Sequence, residues 1–167
     1  MVRLPGLFCQ DRDRGAHRAP VLFVVLLLMS LAAPATQGQE LAEITANQAW
    51  DLEQEGGLVI VDVRTQGEWR QTGVAPDAAR ISLYSNWGVP NFDFAEKVLA
   101  ALDGDRDRPV ALICATGGRS SFAAQMLREE GFTHVADISE GMLGSETGVG
   151  WLSRALPLED CGDCAPF

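Results

Sequence analysis

The chain has 167 residues, a length that suits one domain with an appendage. Its 23 acidic and 13 basic side chains give a formal net charge of −10, which argues against nucleic acid or an anionic membrane surface as partner.

The appendage comes first. Arg3, Arg12, Arg14 and Arg18 outnumber Asp11 and Asp13, residues 21–33 form an apolar run, and Ala33-Pro34-Ala35 offers small residues where a signal peptidase inspects the chain. Between Pro20 and Pro34 lie 13 residues. As helix at roughly 1.5 Å each they span about 20 Å, short of a hydrocarbon core of roughly 30 Å. This pattern predicts a signal peptide over 1–35, cleaved near Ala35, with a retained membrane anchor as the rival; only then would a membrane be a partner. No cysteine follows the apolar run, so a lipoprotein is not indicated. The expected destination is outside the cytoplasm, in the bacterial periplasm. Without the leader, which takes Cys9 with it, nine basic and 21 acidic side chains remain, a net of −12, so a small anionic ligand would have to be attracted locally. A domain over 36–158 and a tail over 159–167 complete the expected organisation.

Residues 41–44 fit a short strand, and Thr45 with Gln48 forms a capping-box start for a helix to about residue 54, ended by Gly56-Gly57. A continuous apolar run over 58–63 suits a strand buried on both faces, and 80–83 is a weaker strand. Positions 94, 95, 98, 99 and 102 share one helical face within 92–102, with Gly104 beyond the end. Residues 109–113 read as a strand, 120–130 as a helix stopped by Gly131, and 134–138 as a strand. Strands alternating with helices predict an α/β domain: a mostly parallel sheet of about five strands, helices on both faces and right-handed crossovers. Ligands of such sheets bind at the carboxyl ends of the strands.

At one such end stands Cys114-Ala115-Thr116-Gly117-Gly118-Arg119. Adjacent glycines let the chain curl and turn successive N–H groups inward, while a helix from about Ser120 brings its free N–H groups and positive dipole end to the same point. Arg119 adds a permanent cation, and the hydroxyls of Ser120 and Ser121 can donate hydrogen bonds to the sulfur. All of these favour a thiolate, the reactive form of cysteine. The competing interpretation is a small buried residue ending a strand, for unpaired cysteine is often fully buried. The reactive role would fail for a sulfur shielded from solvent, with its surrounding amides pointing elsewhere and an acidity no greater than that of an ordinary thiol.

The sequence resembles the rhodanese family of single-domain sulfurtransferases from about Ile44 to Leu158. Val59-Ile60-Val61-Asp62-Val63-Arg64 is similar to its first buried strand with the Asp-x-Arg signature, followed by Glu68-Trp69 and Gly73. Residues 114–120 resemble its active loop, Ser139-Glu140-Gly141-Met142 its closing glycine turn, and Gly150-Trp151-Leu152 with Leu156-Pro157-Leu158 its end. One departure is Gly73-Val74-Ala75-Pro76-Asp77-Ala78, where the family commonly has Gly-His-Ile-Pro-Gly-Ala.

The resemblance implies a two-step transfer in which Cys114 takes sulfur from thiosulfate or a similar small anionic donor and passes it to cyanide or a thiol, a thioredoxin-like protein included. The backbone of Ala115, Thr116, Gly117, Gly118, Arg119 and Ser120 would hold the charge of the persulfide. Four residues separate Cys114 from Arg119, against five in the related phosphatases, which disfavours phosphatase chemistry. No cofactor is called for, and His17 and His134 need no role. A non-catalytic binding or redox-sensing module on the same fold is the alternative, and a monomer is expected in either case.

Asp62, Arg64 and Glu68 are expected to brace the loop, by an Arg64 to Glu68 or an Asp62 to Arg119 ion pair. Trp87 reads as a pocket wall or a buried rim aromatic, and Trp50, Trp69 and Trp151 as core. Cys161-Gly162-Asp163-Cys164 supplies only two zinc ligands, so no metal site is expected. The two thiols suit a local disulfide, or a dithiol that relays sulfur from Cys114.

Overall fold

The computed structural model describes residues 42–162. The proposed leader and its cleavage site, Cys9 and Cys164 lie outside them.

Five strands form one parallel sheet: β1 (Ala42–Ile44), β2 (Val59–Asp62), β3 (Ala79–Arg80), β4 (Val110–Ile113) and β5 (Val135–Ile138), in the spatial order β1-β5-β4-β2-β3. The central pair β2 and β4 is in register with Val59 beside Val110 and Asp62 beside Ile113. Two-residue alternation divides the side chains between two cores. Val61, Val110, Leu112 and Val135 pack with α3 (Phe94–Ala101) and α4 (Gly118–Glu129), while Ile60, Ala111, Ile113, Ala136 and Ile138 pack with α1 (Ala46–Gln54) and α5 (Gly150–Ser153). Cys114 continues the first series beyond the end of β4, so its sulfur turns toward the α3 and α4 layer.

The Thr45 and Gln48 capping box is formed at the start of α1, each side chain meeting the backbone N–H of the other. The same device starts a helix that the apolar spacing does not announce. Thr65 and Glu68 cap α2 (Gln66–Thr72), a seven-residue segment whose buried side chain is Trp69. Three boundaries also differ from the sequence reading. β3 is two residues long; Ile81 and Leu83 still donate to Asp62 and Val63 but leave the regular ladder. α3 starts at Phe94, with Asp93 at the N-cap position making no side-chain cap hydrogen bond and Phe92 exposed. α4 starts at Gly118 rather than about Ser120, because the positive φ of 90° at Gly117 ends the turn there.

At the departure from the familiar motif, Asp77 occupies the glycine position with φ 58°, a left-handed conformation that aspartate tolerates better than most residues. Trp69 and Trp151 are buried, and Trp50 meets Trp151 edge to face at 6.1 Å. Trp87 is neither wall nor buried rim: it is 92% exposed. The chain after 158 runs back against the end of α2, where Val74 and Glu159 exchange backbone hydrogen bonds of 3.1 and 2.9 Å.

Candidate active site

The turn after β4 is held from behind. Met142 N–H donates to the Cys114 carbonyl and Leu143 N–H to that of Ala115, both at 2.9 Å, so the loop carbonyls face the 139–143 turn. Close approach makes this possible: a Cβ on Gly141 would lie 2.6 Å from the Ala115 oxygen, and one on Gly117 would collide with the Ser139 oxygen. With the carbonyls turned away, N–H groups are left for the other side. Gly117 N–H donates to Cys114 Sγ at 3.2 Å, and the Ser120 hydroxyl lies 3.4 Å from the same sulfur. The N–H groups of Gly118, Arg119 and Ser120 open α4 and have no carbonyl four residues back inside the helix. The sulfur therefore sits against the positive end of a 12-residue helix. Of the two serines, Ser120 is the one that reaches it.

Two expectations need correction. Cys114 is only 1% exposed, so the sulfur is shielded beneath the turn rather than open at its surface. The ion pairs are also exchanged relative to the reading from sequence. Arg64 does not pair with Glu68; it is buried and grips Asp62 through Nε and Nη2, at 2.9 Å to Oδ1 and 2.7 Å to Oδ2. Its remaining donors reach Thr72 Oγ1 at 2.6 Å and the Gly73 carbonyl at 2.7 Å, tying the end of β2 to the end of α2. Arg119 pairs with Glu68 instead, Nη1 to Oε2 at 2.9 Å and Nη2 to Oε1 at 2.5 Å. Asp62 acts on Arg119 only through longer-range attraction.

The cap of α2 explains that choice. Thr65 N–H and Oγ1 fix Glu68 Oε2 at 2.9 and 2.8 Å, which presents the carboxylate to the first turn of α4. A chain of braces thus runs from β2 through α2 to the residue beside the cysteine loop. Arg119 is therefore not a free cation over the sulfur. The Glu68 hydrogen bonds hold its guanidinium above the ordinary value against the opposing effect of burial. For Glu68 burial disfavours the charge, but hydrogen bonds from Arg119 and Thr65 outweigh it and bring the carboxyl down to about 2.

A depressed carboxylate stabilises the fold above its unfolded value near 4.5 and loses that contribution as pH falls toward about 2. Replacing Glu68 by Gln is therefore expected to narrow the gap between unfolding midpoints measured at about pH 6 and about pH 3, relative to the parent protein. An unchanged gap would show that the pair contributes no pH-dependent stability.

Residues 45–146 match the family model for the rhodanese-like domain. The chain belongs to the rhodanese-like family. An uncharacterised Rickettsia rickettsii protein, the RP600 homolog, is 30% identical over 116 residues, covering 68% of this chain and 94% of the relative. The thiosulfate sulfurtransferase GlpE of Glaesserella parasuis is 30% identical over 117 residues, covering 70% of this chain and 92% of the relative. The crystal structure of Rv0390 from M. tuberculosis superposes with a TM-score of 0.57 and 32% identity, covering 71% of this chain and 97% of that one. The rhodanese-like domain thus accounts for the five-stranded parallel sheet and its helices, and places the chain in the sulfurtransferase superfamily.

Sequence reasoning passed over two features of this rhodanese-like site. The Glu68 to Arg119 pair was detectable as the Thr65-x-x-Glu68 capping signal. Asp137, a buried acid on the strand next to Cys114, had no local signal beyond a charged residue inside an apolar run. Cys161 is buried against Trp69 and Val74 and is disulfide-bonded.

Proposed function

We propose that the protein is a sulfurtransferase that carries sulfane sulfur on Cys114. The observation that carries the reading is the Cys114 sulfur itself, held at the start of α4 with Gly117 N–H and the Ser120 hydroxyl directed at it. The thiolate attacks the outer sulfur of thiosulfate; the sulfur–sulfur bond of the donor breaks and sulfite leaves with the electron pair. The persulfide that remains is anionic, and the N–H groups of the turn and of the first helical turn are placed to receive that charge. Cyanide or a thiolate then attacks the terminal sulfur, and Cys114 leaves as thiolate. The relative named as a thiosulfate sulfurtransferase supports this donor class. A shielded sulfur is reached more readily by a slim donor than by a bulky phosphoester, which agrees with the short loop.

The 1% exposure of Cys114 favours a second reading, a rhodanese-like module that binds a partner or senses oxidants without turnover. Intact mass after thiosulfate treatment separates the two. The sulfurtransferase gains about 32 Da, one sulfur atom, and loses it to cyanide; a thiol that never gains this mass but oxidises reversibly indicates the module. Export, with the leader over 1–35 removed near Ala35, is part of the same proposal, and the mass of the protein isolated from its native host tests it.

A further inference from the structure

A small anion approaching this protein meets a net charge of −10, and the cation beside Cys114 is already neutralised, Arg119 by Glu68. Just beyond β3 lies a cleft of about 260 Å³, lined by Gln66 at the start of α2, Lys97 of α3, and Ser82, Ser85, Asn86 and Asn91 of the chain between β3 and α3. All five strands are parallel, so this is the end of the sheet at which Cys114 follows β4. Asn86 Oδ1 accepts from Gly67 N–H at 3.3 Å, which fixes the cleft to the helix that carries Glu68. Among the described residues no carboxylate lines the cleft, and Lys97, half-buried, joins no ion pair; Asp93 and Glu96, its neighbours on α3, are exposed. The acceptors are occupied. Ser85 Oγ takes the N–H groups of Trp87 and Val89 at 3.3 and 3.1 Å, Asn91 Oδ1 takes Asp93 N–H at 3.3 Å, and the Ser82 carbonyl takes Asn91 Nδ2 at 3.0 Å. What remains unengaged among the described residues is a set of donors: the Lys97 ammonium, the hydroxyl protons of Ser82 and Ser85, and the Asn86 amide.

We propose that this cleft is an anion subsite, binding thiosulfate or another small divalent sulfur oxyanion through Lys97, Ser82, Ser85 and Asn86 and so gathering the donor at the Cys114 end of the sheet. Its gathering role rests on the sulfurtransferase reading; the binding does not. A free ammonium gives a charge-assisted hydrogen bond, about twice as strong as a neutral one, and the hydroxyl and amide donors serve the remaining oxygens with no carboxylate in competition. Lysine is a point charge that a tetrahedral oxyanion meets from any side, whereas the planar fork of an arginine selects a carboxylate. A water takes about 30 Å³ in the liquid, so the cleft holds a small oxyanion with a few waters around it. Solvent reaches Lys97 and salt screens it, which keeps the binding weak, in the millimolar range, and lets the donor leave again. No bond forms or breaks in the cleft; sulfur transfer stays at Cys114.

Sulfate, which has no outer sulfur to give, is the probe. It is titrated into the full chain carrying Cys114→Ser, at ionic strength held constant with chloride, and the backbone amide shifts are followed by NMR. Saturable shifts are expected at Gly67 and over residues 82–97, with half-saturation in the millimolar range. Adding Lys97→Gln is expected to weaken this binding about tenfold, the loss of one charge-assisted hydrogen bond, and Lys97→Arg to restore part of it. Shifts that never saturate, saturable shifts confined to residues 114–120, or a Lys97→Gln protein that binds sulfate as well as its parent each overturn the proposal. With Cys114 in place, Lys97→Gln is expected to raise KM for thiosulfate about tenfold, the loss appearing in KM rather than in kcat. A KM within about twofold of the parent, or a loss confined to kcat, overturns the gathering role. Sulfate binding needs no reactive thiol, so the cleft can fail while Cys114 still transfers sulfur, and the transferase reading can fail while sulfate still binds at Lys97.

Discussion

Replacing Cys114 by Ser is expected to abolish formation of thiocyanate from thiosulfate and cyanide, by about a thousandfold or more, while the fold is kept. Both halves of the expectation come from the same geometry. The serine oxygen can accept the hydrogen bonds now made by Gly117 N–H and Ser120 Oγ, so no buried donor is orphaned and the cost in stability stays within about 1 to 2 kcal/mol. An alcohol, however, is not ionised by a helix terminus, and an oxygen nucleophile cannot carry sulfur as a persulfide. The measurement is initial rate of thiocyanate formation together with the thermal midpoint of both proteins. Equal rates would refute the assignment of Cys114. A lost rate with a midpoint that also collapses would mean that the cysteine is a core residue, the interpretation its burial invites.

The parts of this fold that sequence exposes are those in which one residue type has one local meaning. A continuous apolar run followed by two glycines and a polar helix start marked β4, the turn and α4 without any knowledge of their surroundings, because burial on both faces and a tight reversal each demand particular side chains. The Thr45 cap marked α1 for the same reason. α2 carries an equal cap at Thr65, yet its seven residues include Gly67 and bury only Trp69, so no apolar stripe supported the signal. Ion pairing was less legible still. Asp62, Arg64, Glu68 and Arg119 were grouped correctly at one edge of the sheet, but which charge meets which is settled by the turn between β2 and α2. Arg64 folds back on Asp62 because the two side chains are two residues apart on an extended strand end, and Glu68 is left for Arg119 because its helix cap aims it there. The burial of Cys114 follows from strand alternation carried one residue too far for solvent to reach, a consequence of packing against α4 that local sequence does not encode.

The glycine pair gives the sharpest contrast, since the same substitution at neighbouring positions is expected to have opposite effects. Gly117 has φ 90°, where a side chain costs about 1 to 2 kcal/mol, and an added Cβ would run into the Ser139 carbonyl. That carbonyl cannot retreat cheaply. It accepts from Ser145 Oγ at 3.0 Å, and the turn that carries it is pinned through Gly141 N–H to Ile138 and Met142 N–H to Cys114, both at 2.9 Å. Gly117→Ala is therefore expected to cost about 3 kcal/mol or more, a fall of about 10 °C in midpoint, and to lower transfer at least about tenfold because the displaced N–H is the one that meets the sulfur. At Gly118, by contrast, φ is not positive and a Cβ meets nothing within 4 Å. Alanine there replaces glycine inside a helix, which gains about 0.5 to 1 kcal/mol, so the midpoint is expected to hold or rise. Parallel thermal melts of the two variants decide the matter. Equal losses would mean that the loop is held by something other than its close approach to the 139–143 turn, and the sulfur's hydrogen-bond donor would then owe its position to a different constraint.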